Sequence, residues 1–366
     1  MASITKRPDG RWRARYRDAN GKEHAKHFDR RIDGQRWLDE VTAAVVTGQY
    51  VDPRAGRITF ASYVHGWQAR QVHRRNTALA VDSALRVHCV PRFGSRPVAN
   101  IKSSDIQGFV RDLSESLAPS TVRTIFQHLR AVFRAAEMDR VIARNPCQGV
   151  TLPKLVRVEV HPLSTAAVWA LHDAMPPSLR PMITLMATSG LRPGEAAGLT
   201  SGQLNFLQRV VRVDRQLIQT RPPTFGPPKT AASVRTVPLG TAALNELAGH
   251  MAAHPLGVEG TVFSRADGVS LNRDMVSKAF SAAASSVGAP AGTRLHDLRH
   301  YYASLLISQG GSVRVVQARL GHASATETLD TYSHLWPDSE ELTRRAVDLA
   351  FVRPADSVRT DAAALE

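Results

Sequence analysis

Four short segments in the second half of this 366-residue chain carry polar residues whose types could do chemistry. TSGLRPGEAAGLT holds Arg192 and Glu195, GPPKTAASVRTVPL holds Lys229, TRLHDLRHYYASLL holds His296, Arg299 and His300, and ARLGHASATETLDTYSHL holds His322 and Tyr332. Two arginines, a lysine and histidines are the side chains that grip phosphate, Arg by a planar two-pronged fork. Arg192 follows a Gly turn and precedes Pro193, which sets it at a helix start, where backbone N–H groups also favour anions. Lys229 sits on a Pro-rich turn read as a hairpin between two strands. His296 and Arg299 are three apart and share one helix face. Tyr332 lies two turns into a helix opened by a capping box of Ser324 and Glu327.

Taken singly, each has a plain alternative: a surface arginine, a mobile lysine, a buried structural tyrosine. His296 and His300 have the i, i+4 spacing of a metal pair. HDLRH lacks the glutamate of a zinc protease motif, however, no third ligand is evident, and an arginine between two ligands opposes a dication. No metal is expected there. The acidic residues of this region are scattered, and the chain has no GxxxxGK[ST] phosphate loop.

The elements that must position these residues follow from pattern. In residues 3–28, SITKR and RWRARYRD alternate around Pro8-Asp9-Gly10, and Asn20-Gly21 marks a two-residue turn into KEHAKHF. Period two puts Trp12, Ala14 and Tyr16 on one face and Arg11, Arg13, Arg15 and Arg17 on the other. Residues 30–47 read as a helix with Ile32, Trp37, Leu38, Val41 and Val45 inward. The result is a small three-stranded sheet backed by one helix, its arginine face a candidate DNA groove reader. Residues 58–145 form four helical stretches. In the last, opened by Pro119 and Ser120, Val122, Ile125, Phe126, Leu129, Val132 and Phe133 make an apolar stripe, with Arg123, Arg130 and Arg134 mostly off it as DNA contacts. From about residue 161 helices and short strands mix. The fold class is multidomain α+β: 1–50 the sheet domain, 51–57 a linker, 58–150 the helical domain, 151–160 a second linker, 161–352 a mainly helical mixed domain, and 353–366 a tail expected to be disordered.

Charge supports this division. The net +15 is distributed as +4 over residues 1–56, +9 over 57–155 and +2 over the remainder. A basic front on a near-neutral rear suggests DNA-gripping modules joined to a module that does chemistry. Two cysteines, Cys89 and Cys147, make no disulfide framework and suit a reducing cytoplasm. No apolar run approaches the roughly 18 residues of a membrane span. The charged N-terminus is expected not to be a secretory signal.

In order, GLRPGE, PKT before a strand, LHDLRHYYAS, LGHAS and a tyrosine ten residues after the LGH histidine resemble the tyrosine recombinase, or phage integrase, family. Residues 58–150 resemble its helical core-binding domain and residues 1–50 the arm-binding domain of phage-type integrases. The resemblance implies a catalytic set of Arg192, Lys229, His296, Arg299 and His322 with Tyr332 as nucleophile, and implies attack on a DNA phosphodiester to give a 3′-phosphotyrosine and a free 5′-hydroxyl. Arg192, Arg299 and His322 would bind the non-bridging oxygens. Lys229 would protonate the leaving oxygen, His296 would take the phenolic proton, and Glu195 would orient a neighbour. No cofactor is implied, because cations supply the charge and the phosphotyrosine conserves the bond energy.

The partners implied are double-stranded core and arm sites, a homotetramer on DNA formed in part through residues 338–352, a monomer without DNA, and a host bending protein and directionality factor. The alternatives are a Xer-like or transposon recombinase, a type IB topoisomerase, and a non-cleaving sequence-specific regulator. The basic sheet at residues 1–50 argues against Xer, and the complete catalytic set against a regulator.

Overall fold

The computed structural model describes residues 2–17, 21–46, 52, 55–155, 159–218, 223–271, 273–336 and 340–351. Asn20 of the second turn, parts of both linkers and the tail from 352 lie outside the described residues. The chain divides into two compact units, residues 1–157 and 158–366.

The first unit opens with an antiparallel sheet of β1 (Ser3–Lys6), β2 (Trp12–Arg17) and β3 (Glu23–Phe28), in that order. Helix α1 (Arg31–Val46) covers one face. The alternation in β2 buries Ala14 and Tyr16, and Tyr16 packs edge-on against Trp37 of α1. Gly34 allows the helix to sit down on the sheet, since a Cβ there would lie 2.7 Å from Ile4 Cδ1. Ile32 does not face inward as the periodicity suggested; it is 56% exposed. At about 100° per residue, its position two before Gly34 puts it on the far side of the helix, and Gly34 and Leu38 take the inner one.

The opposite face carries the arginines, already engaged with acids of the same sheet. Arg13 lies 3.3 Å from Glu23, Arg15 is 3.9 Å from the same carboxylate, and Arg11 is 3.2 Å from Asp29. Cross-strand pairing brings this about, because Glu23 stands opposite Arg17 at the end of the ladder.

The helical bundle comprises α2 (Phe60–Ala69), α3 (Arg75–Ala84) continued by a π-helical turn into α4 (Val90–Phe93), α5 (Ser103–Ser114) and α6 (Pro119–Met138). The whole apolar stripe expected for α6 is buried. Phe133 packs at 5.5 Å from Phe60, and Phe60 at 5.9 Å from Phe93, in a core that also takes in Cys89 and Cys147. Burial pushes both thiols up to about 12. They are free and behave as small apolar side chains. Arg130 and Arg134 are exposed, whereas Arg123 is half-buried and donates Nε to the Pro153 carbonyl at 2.8 Å. Arg123 therefore anchors the segment leaving the bundle.

The second unit begins with α7 (Thr165–Ala174), α8 (Arg180–Ser189) and α9 (Pro193–Ala197). Strands β4 (Leu204–Asn205) and β5 (Val210–Val213) pair with the later β8 (Arg235–Pro238), while β6 (Gln216–Ile218) and β7 (Thr224–Gly226) make a separate pair. Helices α10 (Thr241–Ala253), α11 (Arg273–Ser286), α12 (Asp297–Ser308), α13 (Val313–Leu320), α14 (Ala325–Tyr332) and α15 (Glu340–Phe351) complete it. Lys229 does not sit on a hairpin: β7 and β8 belong to different sheets. Pro227 and Pro228 have no N–H to continue a ladder, so the chain leaves β7, makes a 3-10 turn at Ala231–Ser233 and joins β5 instead.

Truncating Phe133 to Ala should remove about 3–5 kcal/mol from the bundle. Hydrogen-exchange mass spectrometry would read this as faster exchange across residues 60–138, with peptides from residues 165–332 unchanged.

Candidate active site

Arg299, in the first turn of α12, is 1% exposed. Its two terminal nitrogens donate at 2.7 Å each to the carbonyls of Gly190 and Leu320, where α8 and α13 end. Both helices stop on a left-handed glycine, Gly190 (φ 64°) and Gly321 (φ 67°). The helix ends aim carbonyl dipoles at a buried cation, the favourable sense of the helix dipole. Gly190 cannot be enlarged, since a Cβ would meet Tyr302 at 2.5 Å. Burial and the charge of Arg192 pull the Arg299 pKa down to about 9, which leaves the group charged at neutral pH.

Just beyond each glycine cap stands another cationic or histidine side chain, Arg192 two residues after Gly190 and His322 one after Gly321. Arg192 is the N-cap of α9, where Glu195 Oε2 accepts its backbone N–H at 2.9 Å and Oε1 accepts from its guanidinium at 3.1 Å. Glu195 also receives a fork from Arg235, at 2.9 Å and 3.3 Å, both side chains nearly fully buried. Burial alone would raise the Glu195 pKa, but hydrogen bonding and charge from Arg235, then Arg192, bring it below the usual value of 4.5. Arg235 further donates to the carbonyls of Ser233 and Arg319, at 2.9 Å and 2.8 Å, and Ser233 Oγ accepts from Arg192 at 3.4 Å. The turn carrying Lys229 is tied to Arg192 through this chain of contacts, while Lys229 itself is exposed.

His322 follows Gly321 and is buried, its Nδ1 2.8 Å from Thr328 Oγ1. Ser324 caps α14 by accepting from the Glu327 N–H, while the Glu327 carboxylate reaches the Ala323 N–H rather than that of Ser324. At the other end of α14, Tyr332 is 1% exposed and nearly parallel to the His322 ring, with centroids 6.4 Å apart. Its hydroxyl lies 2.8 Å from His300 Nδ1. His296, the N-cap of α12, has an open surface, and its ring stands edge-on to His300 at 5.0 Å. Desolvation of the ring, then the charges of His300, Arg299, Arg192 and His322, pushes His296 down to about 4. His322 is lowered by burial and then by Arg299. Burial pushes the Tyr332 phenol up to about 12 against the opposing pull of Arg299 and Arg192.

The structure thus gathers Arg192, Glu195, His296, Arg299, His322 and Tyr332, and leaves Lys229 exposed on the turn that precedes β8. One assignment changes: the group on the Tyr332 hydroxyl is His300, not His296, because position 300 is a full turn further into α12 and faces α14. Arg235 was missed. Its signal was present in the strand pattern, since period two places it on the same buried face as Val237, where an arginine requires an acid.

Residues 163–338 match the phage integrase family, residues 60–151 the phage integrase central domain and residues 2–47 the phage integrase N-terminal domain. The chain belongs to the phage integrase family of tyrosine recombinases. Among curated relatives it is 25% identical over 341 residues to a putative prophage phiRv2 integrase of Mycobacterium tuberculosis, covering 89% of each chain. It is 24% identical over 358 residues to a tyrosine recombinase XerC-like protein of Caldanaerobacter subterraneus, covering 88% of this chain and 90% of the relative. In fold it resembles the Tn1549 transposon integrase solved with circular intermediate DNA (TM-score 0.68, 22% identity, 80% of this chain and 99% of that one). It also resembles a lambda integrase solved as a tetramer on a Holliday junction (TM-score 0.61, 19% identity, 97% of each). Family membership makes the protein a site-specific DNA recombinase.

Glu195 stabilises this pocket as a carboxylate. Because its folded pKa is depressed, that contribution is complete above about pH 4.5 and is lost as pH falls below it through the depressed value. Glu195→Gln should lower stability at pH 7 by about 3–5 kcal/mol, the cost of leaving a buried arginine without its ion. Below pH 4.5 the gap to the wild type should close, read by urea unfolding across pH 3–7. The depressed histidines destabilise both proteins alike on acidification.

Proposed function

We propose that this protein integrates or excises a mobile element by cutting and rejoining DNA through a 3′-phosphotyrosine on Tyr332. The observation that carries the reading is the position of the Tyr332 hydroxyl. It is buried in the same unit as Arg192 and Arg235, both paired with Glu195, and Arg299, held by two helix-end carbonyls. The excess positive charge, largely removed from water, suits a scissile phosphate. Arg192 and Arg299 take the non-bridging oxygens, His322 adds a donor, and His296 meets the phosphate from the open side. Lys229, on its exposed turn, reaches the leaving 5′-oxygen as general acid.

Residues 1–50 bind arm-type sites and residues 58–150 core sites, with 161–352 as catalytic domain. The match of residues 2–47 to a phage integrase N-terminal domain favours a phage-type integrase over a Xer-like recombinase. Arg17, exposed on the sheet face, and Arg130 and Arg134 on α6 contact phosphate, while Arg11, Arg13 and Arg15 exchange their acidic partners for DNA. Helix α15 leaves Val347, Leu349 and Phe351 exposed, which supports docking on a neighbouring protomer in a DNA-bound tetramer. A host bending protein and a directionality factor assist. No described helix is long and apolar enough to cross a membrane, and the reading places the protein in the cytoplasm, where its DNA is.

The test is a nicked suicide duplex carrying a half-site selected from a random library by the wild-type chain. Wild type should form a covalent DNA adduct and Tyr332→Phe none; an adduct with Tyr332→Phe would overturn the nucleophile. Removal of residues 1–55 should spare core-site binding and abolish arm-site binding.

A further inference from the structure

Two histidines one turn apart on α12 stand in different surroundings. His296 caps the helix with an open surface, whereas His300 is turned inward against α14. Among the described residues, the Tyr332 hydroxyl has one hydrogen-bond partner, His300 Nδ1 at 2.8 Å. The rings stand 5.6 Å apart at 64°, so the imidazole edge addresses the phenol oxygen. The other histidine beside the tyrosine, His322, is stacked rather than bonded, and its Nδ1 is held by Thr328.

We propose that His300, and not His296, accepts the phenolic proton when Tyr332 attacks the scissile phosphate, an inference that rests on the recombinase reading above. The Tyr332 O–H bond breaks and its proton moves to Nδ1 of a neutral imidazole protonated on Nε2. The phenolic oxygen bonds to phosphorus as the P–O5′ bond breaks, and the departing 5′-oxygen takes a proton from Lys229. On rejoining, the 5′-hydroxyl gives its proton back to Lys229 as its oxygen bonds to phosphorus, the bond from phosphorus to the Tyr332 oxygen breaks, and the imidazolium returns its Nδ1 proton to the leaving phenolate.

The surroundings keep His300 ready to accept. Burial lowers its pKa, Asp297 raises it and Arg299 lowers it, with a net downward shift from 6.5. The groups facing it are Asp297, His296 and Arg299 from its own helix and Tyr332 from α14. His334, on the turn after α14, is engaged with the Val160 carbonyl at 2.9 Å. A free phenolate is scarce at neutral pH in a site that pushes the phenol up to about 12. Proton transfer during attack is therefore the route that the pocket favours.

The experiment uses full-length protein and the selected half-site duplex, with either the natural 5′-oxygen or a 5′-bridging sulfur at the scissile phosphate. A thiolate leaves without a proton, so the sulfur substrate isolates the nucleophile's side of the reaction. His300→Ala removes the acceptor. His300→Asn sets an amide oxygen near the Nδ1 position, able to hold the hydroxyl but unable to take its proton. Both should lose adduct formation by about 10²-fold or more on either substrate, with core-site affinity in a gel shift retained. Lys229→Ala should be restored by the sulfur substrate. In the wild type the adduct rate should fall with acidification below pH 6.5, as His300 protonates. In the variants that limb should vanish and the rate should climb with pH toward the phenol's own ionisation.

Recovery of His300→Asn to within about tenfold of wild type would reduce His300 to a positioning role and overturn the proposal. Recovery of His300→Ala on the sulfur substrate would place it on the leaving group and do the same. No wild-type adduct on any selected duplex, or an adduct with Tyr332→Phe, would remove the recombinase reading and this inference with it.

Discussion

The site depends on one buried guanidinium. Arg299 lies within α12 and is held by the last carbonyls of α8 and α13 at 2.7 Å each. A cation removed from water is costly unless its donors are met, and here they are met by helix ends whose dipoles favour positive charge. The same two contacts fix where both helices stop. Arg192 comes two residues after one glycine cap and His322 directly after the other, so a single side chain sets the origin from which both are projected. Gly190 fits because Tyr302 occupies the space that a Cβ would need. Packing, backbone conformation and charge are thus solved at one point in the chain.

Placing several cations together is the second constraint, and Glu195 meets it. Its carboxylate forks with Arg235, bonds Arg192 through side chain and backbone, and so joins α9 to β8. Arg235 extends the brace to α13 through the Arg319 carbonyl. Glu195 holds Arg192 and Arg235 in place, Arg299 being held by the helix-end carbonyls, and its one charge is too little to neutralise three guanidinium groups. That imbalance is what a site for an anionic substrate requires, and full pairing would have made it only a structural ion cluster.

Much of this was legible in the sequence because the polar residues occur beside strong punctuation. Gly190 and Gly321 end helices, Pro193 starts one, Ser324 caps another, and Arg192, His322 and Tyr332 are placed relative to them by local rules alone. The apolar stripe of α6 was equally plain, since a 20-residue helix samples its periodicity many times. Other features depend on tertiary context. Ile32 falls on the wrong face because the sheet it should meet is covered through Gly34. The turn at Lys229 looks like a hairpin until the pairing shows β8 leaving β7 for β5. Glu23 and Asp29 temper the arginine face of the first sheet through cross-strand register, which residue spacing does not disclose. Arg235 was readable in principle, as an inward arginine at period two from Val237.

The division between His296 and His300 follows from the electrostatics of the pocket. An entering phosphodiester brings negative charge to the open side, where Arg192 and His296 lie, and an adjacent anion favours the protonated form of a histidine. His296 and His322, depressed by burial and then by neighbouring positive charge, gain proton affinity as a phosphate arrives and become better donors to it. His300 stands behind the phenol, and its neutral form is already favoured by burial and Arg299. The histidine that the anion reaches first is thus suited to donating, and the one behind the nucleophile to accepting. Two residues of the same type, four apart on one helix, acquire opposite roles because only one of them faces the charge that the reaction brings in.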